Sequence, residues 1–170
     1  MDQVPDSPES PIPSLLLKQI HPDLVTPALV VSKDTPVRAL LHVIDGNRDC
    51  QTIAVVDAAG ILVGILPVDT VLEDLLLRAL PEEFLSDVRD MERVAELMKE
   101  QQARSAGDLM HPPVSVEAES TVREAFHAIH RAGVKGLPVV DEHGHVSGYV
   151  GLFQLLLAWL EGQQPPAPSH

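Results

Sequence analysis

Apolar positions along this chain fall into an order that occurs twice. The run Ala28-Leu29-Val30-Val31 gives way to a polar break at Asp34-Thr35-Pro36, and then Val37, Leu40, Leu41 and Ile44 recur at helical spacing. A continuous apolar stretch follows, Ile53-Ala54-Val55-Val56, then a turn from Asp57 to Gly60, then Val63-Gly64-Ile65-Leu66 and an apolar helix. Roughly 85 residues later the same order returns. It reads Pro113-Val114-Ser115-Val116, a helix carrying Val122, Ala125, Phe126 and Ile129, then Leu137-Pro138-Val139-Val140, a turn from Asp141 to Gly144, and Ser147-Gly148-Tyr149-Val150. Each copy therefore predicts strand, helix, strand, strand, helix. Asp followed three residues later by Gly places a turn-forming carboxylate and a φ-positive residue between two strands, so each copy carries one β-hairpin. Thr35-Pro36 and Ser120-Thr121 are suitable starts for the first helices, and the second helices begin near Asp69 and Leu152. The class is α/β, with two copies of a half-buried unit pairing about a pseudo-twofold axis and clefts forming at the seam.

The copies are unequally framed. Residues 1–13 are proline-rich and acidic and predict disorder, as does the tail 162–170. Ser14 can cap a short helix, Leu15 to Ile20, which covers a first repeat spanning 14–80. A second repeat spans 105–161. Between them, 81–104 predicts an inserted amphipathic helix. Pro81 suits its first turn, and Val88, Met91, Val94, Leu97 and Met98 form an apolar stripe opposite Asp87, Asp90, Glu92, Glu96 and Glu100.

Composition narrows the partners. At 170 residues the chain suits one compact domain or two small modules sharing a core, and scarce aromatics make that core aliphatic. A formal charge of −13 disfavours a nucleic-acid backbone and an anionic membrane surface. Met1 to Pro13 has neither the basic nor the apolar region of a signal peptide, and the apolar runs are too short to span a membrane. One cysteine, Cys50, excludes an internal disulfide. A cytoplasmic location and no membrane insertion are the expectations.

The repeat resembles a tandem pair of CBS domains, the cystathionine-β-synthase-type regulatory module. The resemblance is carried by Gly107-Asp108-Leu109-Met110 with Val114 and Val116, by Ser120-Thr121-Val122-Arg123-Glu124-Ala125, and by Leu137-Pro138-Val139-Val140-Asp141 with Gly144 and Gly148. The first copy keeps Val55-Val56-Asp57, Gly60 and Gly64-Ile65-Leu66. The resemblance implies a β-α-β-β-α fold per copy, a disc-like pair, frequent dimerisation, and regulatory rather than catalytic binding of AMP, ADP, ATP or S-adenosylmethionine in the clefts. Its usual ligand signature sets a Thr or Ser after the second hairpin strand, for phosphate, and an Asp three residues on, for the ribose hydroxyls. Here those positions hold Pro67 and Thr70 in the first copy, Gly151 and Gln154 in the second. Pro67 offers neither N–H nor hydroxyl. Gly151 keeps an N–H and leaves room, and Gln154 can hydrogen-bond a diol without charge assistance.

The other candidate residues have competing readings. Asp69 can contact a ribose or serve as N-cap to Thr70-Val71-Leu72. Lys135, in the loop before Leu137-Pro138, can reach a phosphate or be a solvated surface lysine. The candidate ligand set is therefore Lys135, Pro138, Gly151, Gln154, Thr70 and Asp69, with the second-copy cleft the better of the two. Arg38 and Arg123 share a repeat position on the exposed face of the first helices. Glu124, His127 and His130 on one helix and His143 and His145 at one turn lack a matching ligand set, so surface histidines are expected and no tightly bound transition metal. Asp87, Asp90 and Glu83 could still attract Mg2+ or Ca2+ weakly. Cys50 reads as a small buried hydrophobe.

Function reduces to three classes. The first is a ligand-sensing module that modulates a separate partner protein. The second is a structural homodimerisation module with ligand-free clefts. The third, a histidine-based metallohydrolase, lacks the ligands it would need.

Overall fold

The computed structural model describes residues 25–79 and 104–162. The N-terminal residues 1–13 and the short helix after them, residues 81–103 of the expected amphipathic helix, and the tail beyond residue 162 lie outside the described residues. In order, the elements are β1 (Val30–Ser32), α1 (Val37–Asp45), β2 (Thr52–Val56), β3 (Leu62–Pro67), α2 (Val68–Ala79), the single-turn α3 (Ala106–Leu109), β4 (Val116–Glu117), α4 (Val122–Ala132), β5 (Gly136–Val140), β6 (Val146–Gly151) and α5 (Leu152–Gly162). They form two three-stranded sheets of order β1-β2-β3 and β4-β5-β6. In each sheet the first pair is parallel and the second antiparallel. A register shift falls at corresponding places, between Val55 and Val56 and between Val139 and Val140.

Local chemistry explains the elements. In the hairpin turns, the Asp57 carboxylate accepts from the N–H groups of Ala59 (2.9 Å) and Ile61 (3.0 Å), and Asp141 accepts from His143 and His145, both at 2.9 Å. Gly60 and Gly144 follow at φ 80° and 84°, a region an L side chain resists. Those backbone donors hold the Asp141 carboxyl below its ordinary range. Helix α4 opens on a capping box: the Thr121 N–H donates to Glu124 at 2.7 Å, and the Glu124 N–H donates to the Thr121 hydroxyl at 3.2 Å. It buries Val122, Ala125 and Ile129, while α1, which starts from Pro36, buries Val37 and Leu40.

The two repeats are joined by exchange as well as by packing. Thr26, ahead of β1, pairs antiparallel with Tyr149 of β6, with N–H to O distances of 2.9 and 2.8 Å. Its counterpart His111, ahead of β4, pairs with Ile65 of β3 at 3.1 and 2.8 Å. Each repeat thus lends its entry segment to the outer edge of the other's sheet. Ile61 bridges His145, its own counterpart, which puts the pseudo-twofold axis between them. The cores interpenetrate in the same way. Ile65 lies in the core of the second repeat with Leu137, Val139, Val150 and Leu155, and Tyr149 lies in the core of the first with Leu40, Ile53, Val55 and Leu66. Gly64 is required where the exchanged segment crosses it, because a Cβ there would overlap the Met110 thioether and stand 2.9 Å from the His111 carbonyl oxygen.

Candidate functional site

The seam opens into a cleft of about 930 Å3, on the scale of a small-molecule site. One wall is the first repeat's α1–β2 loop, residues 46–51, with Thr26 and Pro27. The other is second-repeat structure: Lys135, Tyr149 and the start of α5 with Leu152, Phe153, Gln154 and Leu156. The loop is ordered by its own polar groups. The Asn47 amide donates to the Val43 carbonyl at 2.9 Å, the Cys50 N–H donates to the Asn47 carbonyl at 3.1 Å, and Arg48 pairs with Asp45 at 2.6 Å.

At the base of the cleft, the Cys50 thiol donates to the Thr52 carbonyl at 3.1 Å, and burial pushes its pKa up, so it stays a neutral thiol. The Tyr149 hydroxyl accepts from the Gln51 N–H at 3.3 Å and adjoins Thr52. Burial pushes its pKa up to about 12, since an ionised phenolate would lose its hydration there.

Of the residues singled out from sequence, Lys135 and Gln154 line this cleft, and Pro138, Gly151, Thr70 and Asp69 lie outside its lining. Lys135 precedes β5. Its carbonyl accepts from the Leu152 N–H at 2.8 Å, and its ammonium reaches across to the Asp69 carboxylate at 3.0 Å. Asp69 is not an N-cap. Helix α2 begins at Val68, so Asp69 sits inside the first turn and its carboxylate faces a cation on the other repeat. Thr70 follows it in the same turn. Pro138 is buried in the middle of β5 opposite Tyr149, whose N–H and C=O face Thr26, so the pair is the non-hydrogen-bonded kind and loses nothing to β6 by the missing N–H. By the same alternation, the Gly151–Gly136 pair is also non-hydrogen-bonded, and the Gly151 N–H points away from β5. Pro67 sits at the matching place opposite Thr52, which is why a residue without an N–H is accepted there. The room expected beside Gly151 is filled: the Gln154 Oε1 occupies the space a Cβ at position 151 would need. Arg123, expected on an exposed face, is half-buried.

The histidines are dispersed. His127 and His130 are exposed on α4, where Glu124 is committed to the capping box, and His143 and His145 flank the second hairpin turn with rings 6.4 Å apart. Among the described residues, no group of three or more His, Cys, Asp or Glu is arranged to hold a metal.

Sequence reasoning missed Arg48, Asn47, Gln51 and Phe153 as lining. The available signal was positional: Gln51 is the repeat counterpart of Lys135, and Phe153 directly precedes Gln154.

Comparison with known proteins agrees with this fold. A CBS-domain sequence profile matches residues 18–77 and 106–161. No curated protein matches the sequence. A solved CBS domain-containing protein from Thermotoga maritima is 24% identical, with a TM-score of 0.69 over 89% of this chain and 99% of that one. The Arabidopsis thaliana CBS-pair protein CBSX2, solved in complex with AMP, is 22% identical, with a TM-score of 0.60 over 88% and 98%. The CBS domain pair of protein MJ0100, in complex with 5'-methylthioadenosine and S-adenosyl-L-methionine, is 16% identical, with a TM-score of 0.59 over 89% and 100%.

Proposed function

The chain belongs to the CBS-domain family, with both repeats matched, and from that premise we propose that it is a non-catalytic sensor. Its ligand is an adenosine-type molecule held in the inter-repeat cleft, and its output is modulation of a separate partner protein. The observation that carries this reading is the cleft of about 930 Å3 itself, walled by both repeats and lined by Lys135 and Gln154. A ligand there touches the first repeat's loop and the second repeat's helix together, so occupancy biases how the two are held. The adenosine-type complexes of the similar CBS pairs support the ligand class. Gln154 supplies a neutral amide, whose hydrogen bonds to a ribose contribute about 0.5–1.5 kcal/mol where those of a carboxylate contribute about 1.5–3, so binding is weak and Gln154→Asp tightens it.

Melting curves and calorimetry with AMP, ADP, ATP and S-adenosylmethionine at millimolar concentration test the reading. A ligand at about 100 times its Kd stabilises the fold by roughly 2.7 kcal/mol, a clear shift in Tm. No shift with any of them, and no effect of Gln154→Asp, would remove the sensing function.

The surface of α5 favours a second role, self-association. Leu155 and Ala158 are buried in the second repeat's core, yet Leu156, Leu157, Leu160 and Phe153 are 40%, 43%, 55% and 70% exposed on the same helix. Leu72, the counterpart of Leu156 on α2, is 45% exposed, but Asp69 and Glu73 stand where α5 has Phe153 and Leu157, so the apolar face belongs to α5. A second copy of this chain, meeting α5 against α5 about a twofold axis, is the partner that such a face fits. Sedimentation of wild type and of Leu156→Glu/Leu160→Glu tests this: a dimer that the substitutions convert to monomer is expected, and a wild-type monomer at micromolar concentration refutes it. If ligands fail and the dimer stands, the chain is a structural dimerisation module. No helix among the described residues is long and apolar enough to cross a membrane, and a lone cysteine suits the cytoplasm.

A further inference from the structure

The charges around the cleft bear on which adenosine-type ligand it takes, given the reading that it takes one. Two lining side chains are cationic, Arg48 and Lys135, and one is a carboxylate, Asp49. Both cations already hold a carboxylate from just outside the lining: Arg48 pairs with Asp45 at 2.6 Å, and Lys135 pairs with Asp69 at 3.0 Å. Among the described residues the neighbourhood therefore carries three negative groups against two positive ones, on a chain whose formal charge is −13. The remaining ionisable groups of the lining, Cys50 and Tyr149, are held neutral by burial and add no charge of either sign. A phosphate entering the cleft competes with Asp45 for Arg48 and with Asp69 for Lys135, and that competition grows with each added phosphate. Phe153, 70% exposed at the rim, presents an aromatic face that suits a nucleobase or a cationic group equally.

We propose that the cleft selects adenosine-type ligands without net negative charge and discriminates against nucleotides bearing several phosphates, with Asp45 and Asp69 as the built-in competitors that set this preference. The competing pairs are solvent-exposed, so each is weak and each is removable without loss of a buried contact.

Calorimetry on the full chain with 5'-methylthioadenosine, S-adenosylmethionine, AMP and ATP tests the proposal, in wild type and in Asp45→Asn/Asp69→Asn. Wild type should bind the neutral and the cationic compound more tightly than ATP. The double variant should bind AMP and ATP more tightly by about two- to fivefold for each carboxylate removed, with 5'-methylthioadenosine unchanged. An unchanged Tm for the unliganded variant identifies the change as local. ATP binding tightest in wild type, or AMP and ATP affinities unmoved in the variant, would overturn the charge preference while leaving the sensor reading intact. If none of the four binds, both fall.

Discussion

Replacing Tyr149 by Phe removes one hydroxyl at the point where the second repeat enters the core of the first. At neutral pH the loss is that of the Gln51 N–H to hydroxyl bond of 3.3 Å, about 0.5–1.5 kcal/mol. In alkali the sign reverses. The folded-state pKa of Tyr149 is raised from its ordinary 10.0 to about 12 because burial disfavours the phenolate. Below the unfolded-state pKa the phenol is neutral in both states, and its contribution to stability is fully present. As pH rises from 10 towards 12, the unfolded chain ionises and the folded chain does not. The unfolded state then binds fewer protons and stability falls. Two pH units of separation correspond to about 2–3 kcal/mol. The variant has no such group, so its alkaline loss should be smaller by that amount. The two stability curves should therefore cross, with wild type ahead at pH 8 and Tyr149→Phe ahead near pH 12. Urea unfolding at intervals from pH 8 to 12 reads the crossing. The chain has a single tyrosine, so ultraviolet absorbance follows its ionisation directly in the folded state. A folded-state midpoint near 10, or curves that stay parallel to pH 12, would refute the burial argument.

Other substitutions probe the remaining supports. Gly64→Val must displace Met110 and the His111 strand segment; a loss of about 1–3 kcal/mol or more in urea unfolding is expected, with wild-type stability as the contrary result. Leu155→Ala, at a fully buried position of the second core, should cost about 2–5 kcal/mol by the same measurement. Thr121→Ala removes the capping-box hydroxyl of α4 and should cost about 1 kcal/mol, visible as a lower Tm.

What could be read from the sequence was what is local. The hairpin turns followed from Asp57 and Gly60 and from Asp141 and Gly144, because both the carboxylate and the positive φ act within a few residues. Helices α1 and α4 followed from apolar spacing and from the starts at Thr35-Pro36 and Ser120-Thr121. The pairings that build the seam act over long separations, and no local pattern announces them. Thr26 reads as an ordinary polar residue before a strand, yet it pairs with Tyr149. Lys135 and Asp69 are 66 positions apart, so each could be weighed singly but not as a pair. Gln154 was legible as a cleft residue only through the family resemblance, whose ligand signature falls on its position. That its side chain fills the space beside Gly151 depends on a rotamer, which position alone does not specify. The cationic Arg48 escaped notice because its loop has no close equivalent in the second copy, where α4 runs on to Ala132 and Gly133 turns the chain at φ 66°.

The reciprocal lending of entry segments also sets a timetable for synthesis. A ribosome delivers β3 well before His111, the residue that covers its edge, so the first hairpin waits uncovered for roughly 2–9 seconds at about 5–20 residues per second. Thr26, made early, has its own partner 123 positions downstream and cannot dock until β6 has emerged. Neither half can finish while the other is missing, and during that interval each nascent chain carries an open strand edge of the kind that recruits neighbouring chains. Slower translation through the stretch between the copies should therefore raise aggregation without any change in the amino-acid sequence.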